Sequence, residues 1–152
     1  MKKLSKSDSL QPKSNYFLPT AEDLSDTAFI KDEEIIGYEI YEDTTQQRLE
    51  KSYALLLSNS GQQKINNLKN IPLCCGKKFA VVLNGKPLFG AYFWNLVSSF
   101  GCSWVTASPY FDGKLRLMKG LPNNYFDKTK QDPRCDTNLI NAFKVTKRLS
   151  TR

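Results

Sequence analysis

The chain has 152 residues, of which 40% are hydrophobic and 24% are charged, enough apolar material for one contiguous core. No stretch approaches the ~18 consecutive apolar residues that a membrane span needs, so a membrane-spanning protein is excluded. The net charge of +7 comes from the ends, because residues 1–20 hold four Lys against one Asp and residues 121–152 hold seven Lys and Arg against three Asp. A neutral body with basic tails favours solvated tails over a surface that reads nucleic acid.

Composition divides the chain into three parts. Residues 1–27 are rich in Ser, Lys, Asp and Pro and predict a flexible basic lead-in. Residues 28–121 predict one α+β domain, and residues 122–152 predict a basic linker with a short helix. The first twenty residues lack the apolar stretch of a secretion signal. We therefore expect a cytoplasmic protein as written, or an exported or periplasmic one whose leader has been removed.

The first predicted elements are two strands and a helix. Apolar alternation predicts a strand over residues 34–42 and a second over residues 52–57. Ser58 has the side chain of a helix N-cap, which predicts a helix over residues 59–70. Pro72 then ends that helix. The surface of the helix is mostly polar, which indicates that its one apolar side rests on a sheet.

A β-hairpin follows. Residues 78–83 form an unbroken apolar run, typical of a central strand that is covered on both faces. Asn84-Gly85 is the strongest short signal for a type I′ turn, because both positions of that turn need positive φ. The partner strand is predicted over residues 88–94.

The last predicted elements are a strand over residues 102–107, an Asp112-Gly113 turn and a strand over residues 114–118. Asp136 predicts the cap of a short C-terminal helix that is stable only if it docks. Together the elements predict an α+β fold with one small, mainly antiparallel sheet, the helix of residues 59–70 on one face, and flexible ends.

The chain has no histidine, which removes the commonest general base, so we expect no enzyme, no catalytic residue and no cofactor. The cysteines at positions 74, 75, 102 and 135 lack the two close pairs of a structural zinc site, so no metal is expected. Two interpretations stay open: buried reduced thiols, or one disulfide that joins Cys74 or Cys75 to Cys102, with Cys75–Cys102 as the candidate pair.

Lys77 and Lys78 follow Cys74-Cys75-Gly76 closely and would favour a thiolate there. Adjacent cysteines, however, are not a Cys-x-x-Cys redox motif. A structural pair before a strand is therefore favoured over a thiol enzyme.

Aromatic residues are dense from position 89 to position 111, and most of them must belong to the core. If some of them are exposed, they offer an anchor for a protein, peptide or glycan. The candidate partner-binding residues are Tyr92, Trp94 and Trp104.

The segment of residues 55–107 resembles the small α+β head in the first periplasmic region of SecD-type export proteins. The similarity lies in Leu57-Ser58, in the run Gly-Lys-Lys-Phe-Ala-Val-Val-Leu-Asn-Gly-Lys-Pro-Leu of residues 76–88, and in Ser98, Ser99 and Gly101 before the last strand. The resemblance implies a stand-alone SecDF head-like module, a type also found in small exported bacterial proteins. The chain departs from the family in having no membrane span, which excludes a proton-driven translocase, and in having Asn84 where the family has Asp.

These observations predict a small non-enzymatic interaction module that binds an unknown protein or peptide through its aromatic hairpin surface. The alternative is a polyanion or nucleic-acid binder that works through its basic tails and loses affinity steeply with salt. The oligomeric state stays open.

Overall fold

The computed structural model describes residues 14–42, 50–68, 70–108, 113–122 and 125–152. These residues form seven strands, two α-helices and three short 3₁₀ turns. The strands are β1 (Ile35–Glu42), β2 (Lys51–Leu57), β3 (Lys77–Leu83), β4 (Lys86–Phe93), β5 (Cys102–Ala107), β6 (Lys114–Leu121) and β7 (Leu149–Thr151). The helices are α1 (Asn59–Asn66) and α2 (Thr137–Val145), and the 3₁₀ turns are Ala21–Asp23, Asp32–Glu34 and Pro133–Cys135.

All seven strands belong to one sheet in the order β3-β4-β5-β6-β2-β1-β7. The predicted α+β class is confirmed. The sheet is larger than expected and is mixed, because β4 pairs with β5 and β1 pairs with β7 in parallel, while the other pairs are antiparallel. The sequence analysis did not predict β7.

The position of β3 differs from the prediction. The apolar run that predicted a central strand lies at one edge of the sheet and pairs only with β4. An apolar run shows that side chains are partly covered, but it does not show whether a strand has hydrogen-bonded neighbours on both sides. Two features of β3 are typical of an edge: Lys77 and Lys78 at its start and a register shift at Val81/Val82.

The predicted hairpin is confirmed. Asn84 and Gly85 have φ of 51° and 75°, which is the positive pair that a type I′ turn requires. β5 and β6 also pair antiparallel as expected. Asp112 of the predicted turn between them lies outside the described residues.

Both helices begin at the predicted caps. The Ser58 hydroxyl accepts from the Gly61 amide at 3.3 Å, although α1 ends at Asn66, earlier than predicted. The Asp136 carboxylate accepts from the first amides of α2, and α2 is docked because Leu139 and Phe143 are buried. Among the described residues, neither helix is long and apolar enough to cross a membrane.

The sheet has two differently covered faces. Leu117 is the register partner of both Ala107 and Tyr53, so strand alternation places these three residues on the same face. We call this the helix face, because α2 packs there, with Phe143 stacked on Tyr38 at 5.1 Å. The opposite face carries the alternating residues of β4 and β5, namely Gly90, Tyr92, Trp104 and Thr106. We call it the segment face.

Candidate peptide-binding groove

The three candidate partner-binding aromatics are buried, so the condition under which they would offer an exposed anchor is not met. Tyr92 is 6%, Trp94 1% and Trp104 2% exposed. Their strands are interior to the sheet, and the chain itself covers Tyr92 and Trp104. The cover is formed by residues 14–17, which we call the N-terminal segment.

Asn15 is the polar anchor of the N-terminal segment. Its amide donates to Ser103 Oγ at 2.9 Å, and its side-chain Oδ1 accepts from the Ser103 amide at 2.8 Å. Its carbonyl accepts from the Tyr92 hydroxyl at 2.9 Å. Asn15 is therefore held through its backbone on both sides and through its side chain. This arrangement favours Asn over an apolar residue. An apolar side chain would leave the Ser103 amide without its acceptor in this half-buried position.

Phe17 fits against the sheet because residue 90 is glycine. A Cβ atom at Gly90 would lie 2.3 Å from the Phe17 ring, far inside van der Waals contact. The same ring meets Tyr92 edge to face at 5.2 Å, and the Lys78 ammonium lies 4.8 Å from its centroid. Gly90, Tyr92 and Lys78 thus form a pocket of one aromatic ring's size.

Tyr16 lies on the other side of the N-terminal segment. Its ring meets Trp104 edge to face at 4.8 Å, and the Lys130 ammonium lies 4.3 Å from its centroid. Trp104 is fixed in turn, because its indole N–H donates to the Gly90 carbonyl at 2.7 Å and its ring stacks on Phe126 at 5.0 Å. We call the surface formed by Gly90, Tyr92, Ser103, Trp104 and Phe126 the aromatic groove.

The electrostatics of the groove are mild. Burial raises the pKa of the Tyr92 hydroxyl, so it stays protonated as the donor to Asn15. At the rim, hydrogen bonds from Thr129 and then from Ser14 lower the pKa of Asp127, and the Ser14 hydroxyl donates to it at 2.8 Å. The N-terminal segment is therefore bound mainly by neutral hydrogen bonds and ring contacts.

The chain between the N-terminal segment and β1 makes few backbone hydrogen bonds. Except at the Glu34 carbonyl, the backbone hydrogen bonds of residues 18–34 close local turns, such as the bond from the Asp23 amide to the Thr20 carbonyl at 3.1 Å. Glu34, at the end of this stretch, is fixed to the domain by accepting at its carbonyl from the Ser58 amide. The N-terminal segment is thus attached to the sheet mostly by its own contacts, which are the hydrogen bonds of Asn15 and the ring contacts of Tyr16 and Phe17.

Trp94 has a different role from the one predicted. Its indole N–H donates to the Phe100 carbonyl at 3.1 Å, and its ring lies against Gly76, where a Cβ would come within 2.6 Å. Gly76 also has φ of 61°, so glycine is needed there for two reasons. Trp94 therefore holds the loop before β3 against the loop after β4.

All four cysteines are free thiols, so of the two interpretations left open the candidate Cys75–Cys102 disulfide is not formed. Cys102 is buried and burial raises its pKa to about 11, which makes it unreactive, whereas Cys75 is exposed on a turn. The hydrogen bond with Cys74 raises the pKa of Cys75, and the neighbouring lysines do not offset this. The direction of this pKa is opposite to the one that the lysines were expected to cause.

Several basic residues of the C-terminal part have internal partners. Arg134 is buried and binds Asp132 with Nη2 and Oδ2 2.7 Å apart. Arg148 donates to the Ile35 carbonyl at 2.8 Å and pairs with Asp32 at 2.9 Å. These two arginines contribute to the fold. Within the described part of the chain, no group of three or more acidic or cysteine side chains could hold a metal ion.

Asn15, Tyr16 and Phe17 were not predicted as site residues, because they show no strand or helix periodicity. One signal was present: two adjacent aromatic residues are unusual in a stretch of Ser, Lys, Asp and Pro. A scan against family models, a search of curated proteins and a search of solved structures each found no match. The resemblance to a SecD-type head stays an expectation.

Proposed function

We propose that the protein is a non-enzymatic peptide-binding module whose aromatic groove recognises an Asn-aromatic-Phe segment. The observation that carries this proposal is the way Asn15 is held, by two backbone and one side-chain hydrogen-bond contacts of 2.8–2.9 Å. A separate peptide could make the same contacts with Ser103 and Tyr92. The partner is a protein with an exposed segment of this chemistry.

The ring pocket supports the same proposal. Aromatic anchors in desolvated pockets supply most of the energy in peptide and protein recognition. Gly90 leaves space for one ring, while Tyr92 and Lys78 contact the edge and the face of Phe17. Ser103 binds the Asn of the peptide, and the ring pocket at Gly90 binds the Phe two residues later. Together these two contacts define a short motif.

The N-terminal segment then acts as an internal competitor. A flexible tether of this kind presents its end at an effective concentration of about millimolar. A partner segment must displace it, so the apparent affinity of the wild-type chain is lower than that of the emptied groove.

The alternative, polyanion binding by the basic tails, has a different salt dependence. Its affinity falls steeply with salt, whereas the affinity from neutral hydrogen bonds and ring contacts changes little.

The test uses the full-length chain with its own segment weakened by Asn15→Ala and Phe17→Ala. A fluorescein-labelled peptide Ser-Asn-Tyr-Phe-Leu-Pro is titrated by fluorescence anisotropy at low and high salt. We expect the emptied variant to bind the peptide at least about tenfold more tightly than wild type, since its internal competitor is lost. Binding is expected to change little with salt.

Three controls define the site. Leu18→Ala changes an exposed neighbour outside the groove and should bind like wild type. Gly90→Ala, added to the emptied variant, fills the ring pocket and should abolish binding. A peptide with Ala in place of its Asn and Phe should not bind either variant.

A folded emptied variant that fails to bind the peptide would overturn the proposal. If the emptied variant does not fold, hydrogen exchange on wild type decides instead. The proposal requires the Asn15 amide, which donates to Ser103 Oγ, to exchange much faster than the Trp94 amide, which donates to the Ala107 carbonyl, through opening of the segment alone. Equal protection of the two amides would show that the segment is only a part of the folding unit.

A further inference from the structure

The turn before β3 exposes two adjacent thiols in a fixed geometry. Cys74 and Cys75 are both exposed, and their sulfur atoms lie 3.1 Å apart. The turn is closed by a hydrogen bond from the Gly76 amide to the Pro72 carbonyl at 3.1 Å. A second bond joins the Ser98 hydroxyl to the Leu73 carbonyl. The sulfur pair is therefore held in place by the backbone on both sides.

The distance between the two sulfur atoms limits which metal or metalloid atoms the two thiolates can bind together. With bonds of about 2.3 Å from each sulfur, a bridging atom would have a sulfur–centre–sulfur angle of about 85°. A linear two-coordinate metal would need the sulfurs about 4.6 Å apart on the same bond length. Tetrahedral zinc needs a wider angle and two further ligands, and no third acidic or cysteine ligand lies nearby among the described residues. The geometry fits a pyramidal three-coordinate centre.

A disulfide between the two cysteines fits less well. Neighbouring Cα atoms across a trans peptide are about 3.8 Å apart, whereas disulfides usually join Cα atoms about 4.4–6.8 Å apart. Closing the ring would strain the turn, and strained disulfides are readily reduced. A bridging atom needs no such closure.

We propose that Cys74 and Cys75 form a dithiol site for a soft trivalent centre, with organic arsenicals as the ligand class. An arsenoso group reacts with the two thiols by forming two arsenic–sulfur bonds. The arsenic–oxygen bond breaks, and the oxygen leaves as water with the two thiol protons. Arsenic stays trivalent and neither sulfur is oxidised, so no oxidant or reductant is consumed.

The test treats reduced full-length protein with phenylarsine oxide and measures the intact mass and the free thiols. We expect one phenylarsenic group per chain and the loss of two titratable thiols, reversed by an excess of a small dithiol. Cys74→Ser and Cys75→Ser should each weaken binding by about 100-fold or more, because the second bond is no longer intramolecular. Peptide mapping of the wild-type adduct should place the arsenic on the fragment with both residues.

The chain supplies a matched control. Cys135 is also exposed but single, so Cys135→Ser should leave the affinity unchanged. Absence of a wild-type adduct, or equal affinity in Cys74→Ser and wild type, would overturn the proposal. The mapping on wild type decides the question even if a variant folds poorly. Peptide binding in the aromatic groove is independent of this result.

Discussion

The helix face and the segment face of the sheet are covered in different ways. On the helix face, α2 satisfies its own backbone hydrogen bonds and contributes apolar side chains such as Leu139 and Phe143. On the segment face, an irregular stretch is held by hydrogen bonds from Ser103 and Tyr92 to Asn15. The α2 helix itself is bound mainly by packing. The cover of the segment face uses groups that a separate peptide would also present.

This difference indicates different energetic roles. A cover that contributes buried residues to the common core unfolds together with it, whereas a stretch bound by a few contacts of its own opens separately at a lower free energy. We therefore expect the helix face to set the stability of the domain, and the proposed peptide exchange to take place on the segment face. Three substitutions test this division.

The largest effect is expected from Phe143→Ala on the helix face. Phe143 is 6% exposed and stacks on Tyr38, so its loss leaves a cavity between α2 and β1. We expect the free energy of unfolding to fall by about 3–5 kcal/mol in urea titrations. A loss below 1 kcal/mol would mean that α2 is not part of the cooperative unit.

The second effect concerns the ion pair that anchors the chain before α2. Burial alone would raise the pKa of Asp132, but hydrogen bonds and charge from Arg134 outweigh it and hold the pKa below its ordinary value of 3.8. The Arg134 guanidinium also donates to the Leu117 carbonyl at 2.8 Å. The backbone carbonyl of Arg134 accepts from the Tyr38 hydroxyl at 2.7 Å. The pair thus ties this stretch to the helix face.

Because the folded-state pKa of Asp132 is lowered, its stabilisation is present above the unfolded value and is lost as pH falls towards the folded value. We expect Asp132→Asn to cost about 1.5–3 kcal/mol near neutral pH, the range for hydrogen bonds to charged groups. The wild-type and variant unfolding free energies should converge as pH falls below 3.8. A gap that stays constant with pH would contradict the charge-based explanation.

The smallest effect is expected from Phe17→Ala on the segment face. This half-buried ring lies on Gly90, and its removal should cost about 1–2 kcal/mol in chemical unfolding. The same change of residue type at Phe143 is the matched comparison. If Phe17→Ala and Phe143→Ala lower the free energy of unfolding equally, and both variants unfold in one transition, the two covers are equivalent and the division is wrong.

Much of the fold followed from local signals in the sequence. The strand around Tyr38, the turn at Asn84 and Gly85, and the caps Ser58 and Asp136 depend on signals that act over a few residues, and each is found where it was predicted. The position of β3 could not follow in this way. Strand order depends on pairing between distant segments, and an apolar run contains no information about its neighbours.

The candidate site was predicted only in part. Tyr92 and Trp104 were named as binding residues, and they line the aromatic groove, but their burial by the chain itself was not foreseen. Asn15 and Phe17 have no periodicity, and their contacts with Ser103 and Gly90 join positions far apart in sequence. Contacts of this kind depend on three-dimensional shape complementarity, which composition and spacing do not record.

The order of the strands also has a kinetic consequence. β3, β4, β5 and β6 are neighbours both in the chain and in the sheet, and so are β1 and β2. Among the described strands, the hydrogen-bonded pair that joins the two groups is β2–β6, where Tyr53 lies opposite Leu117. Closing so long a loop has an entropic cost that hairpins avoid, so we expect the two groups to form first and their joining to limit the rate of folding.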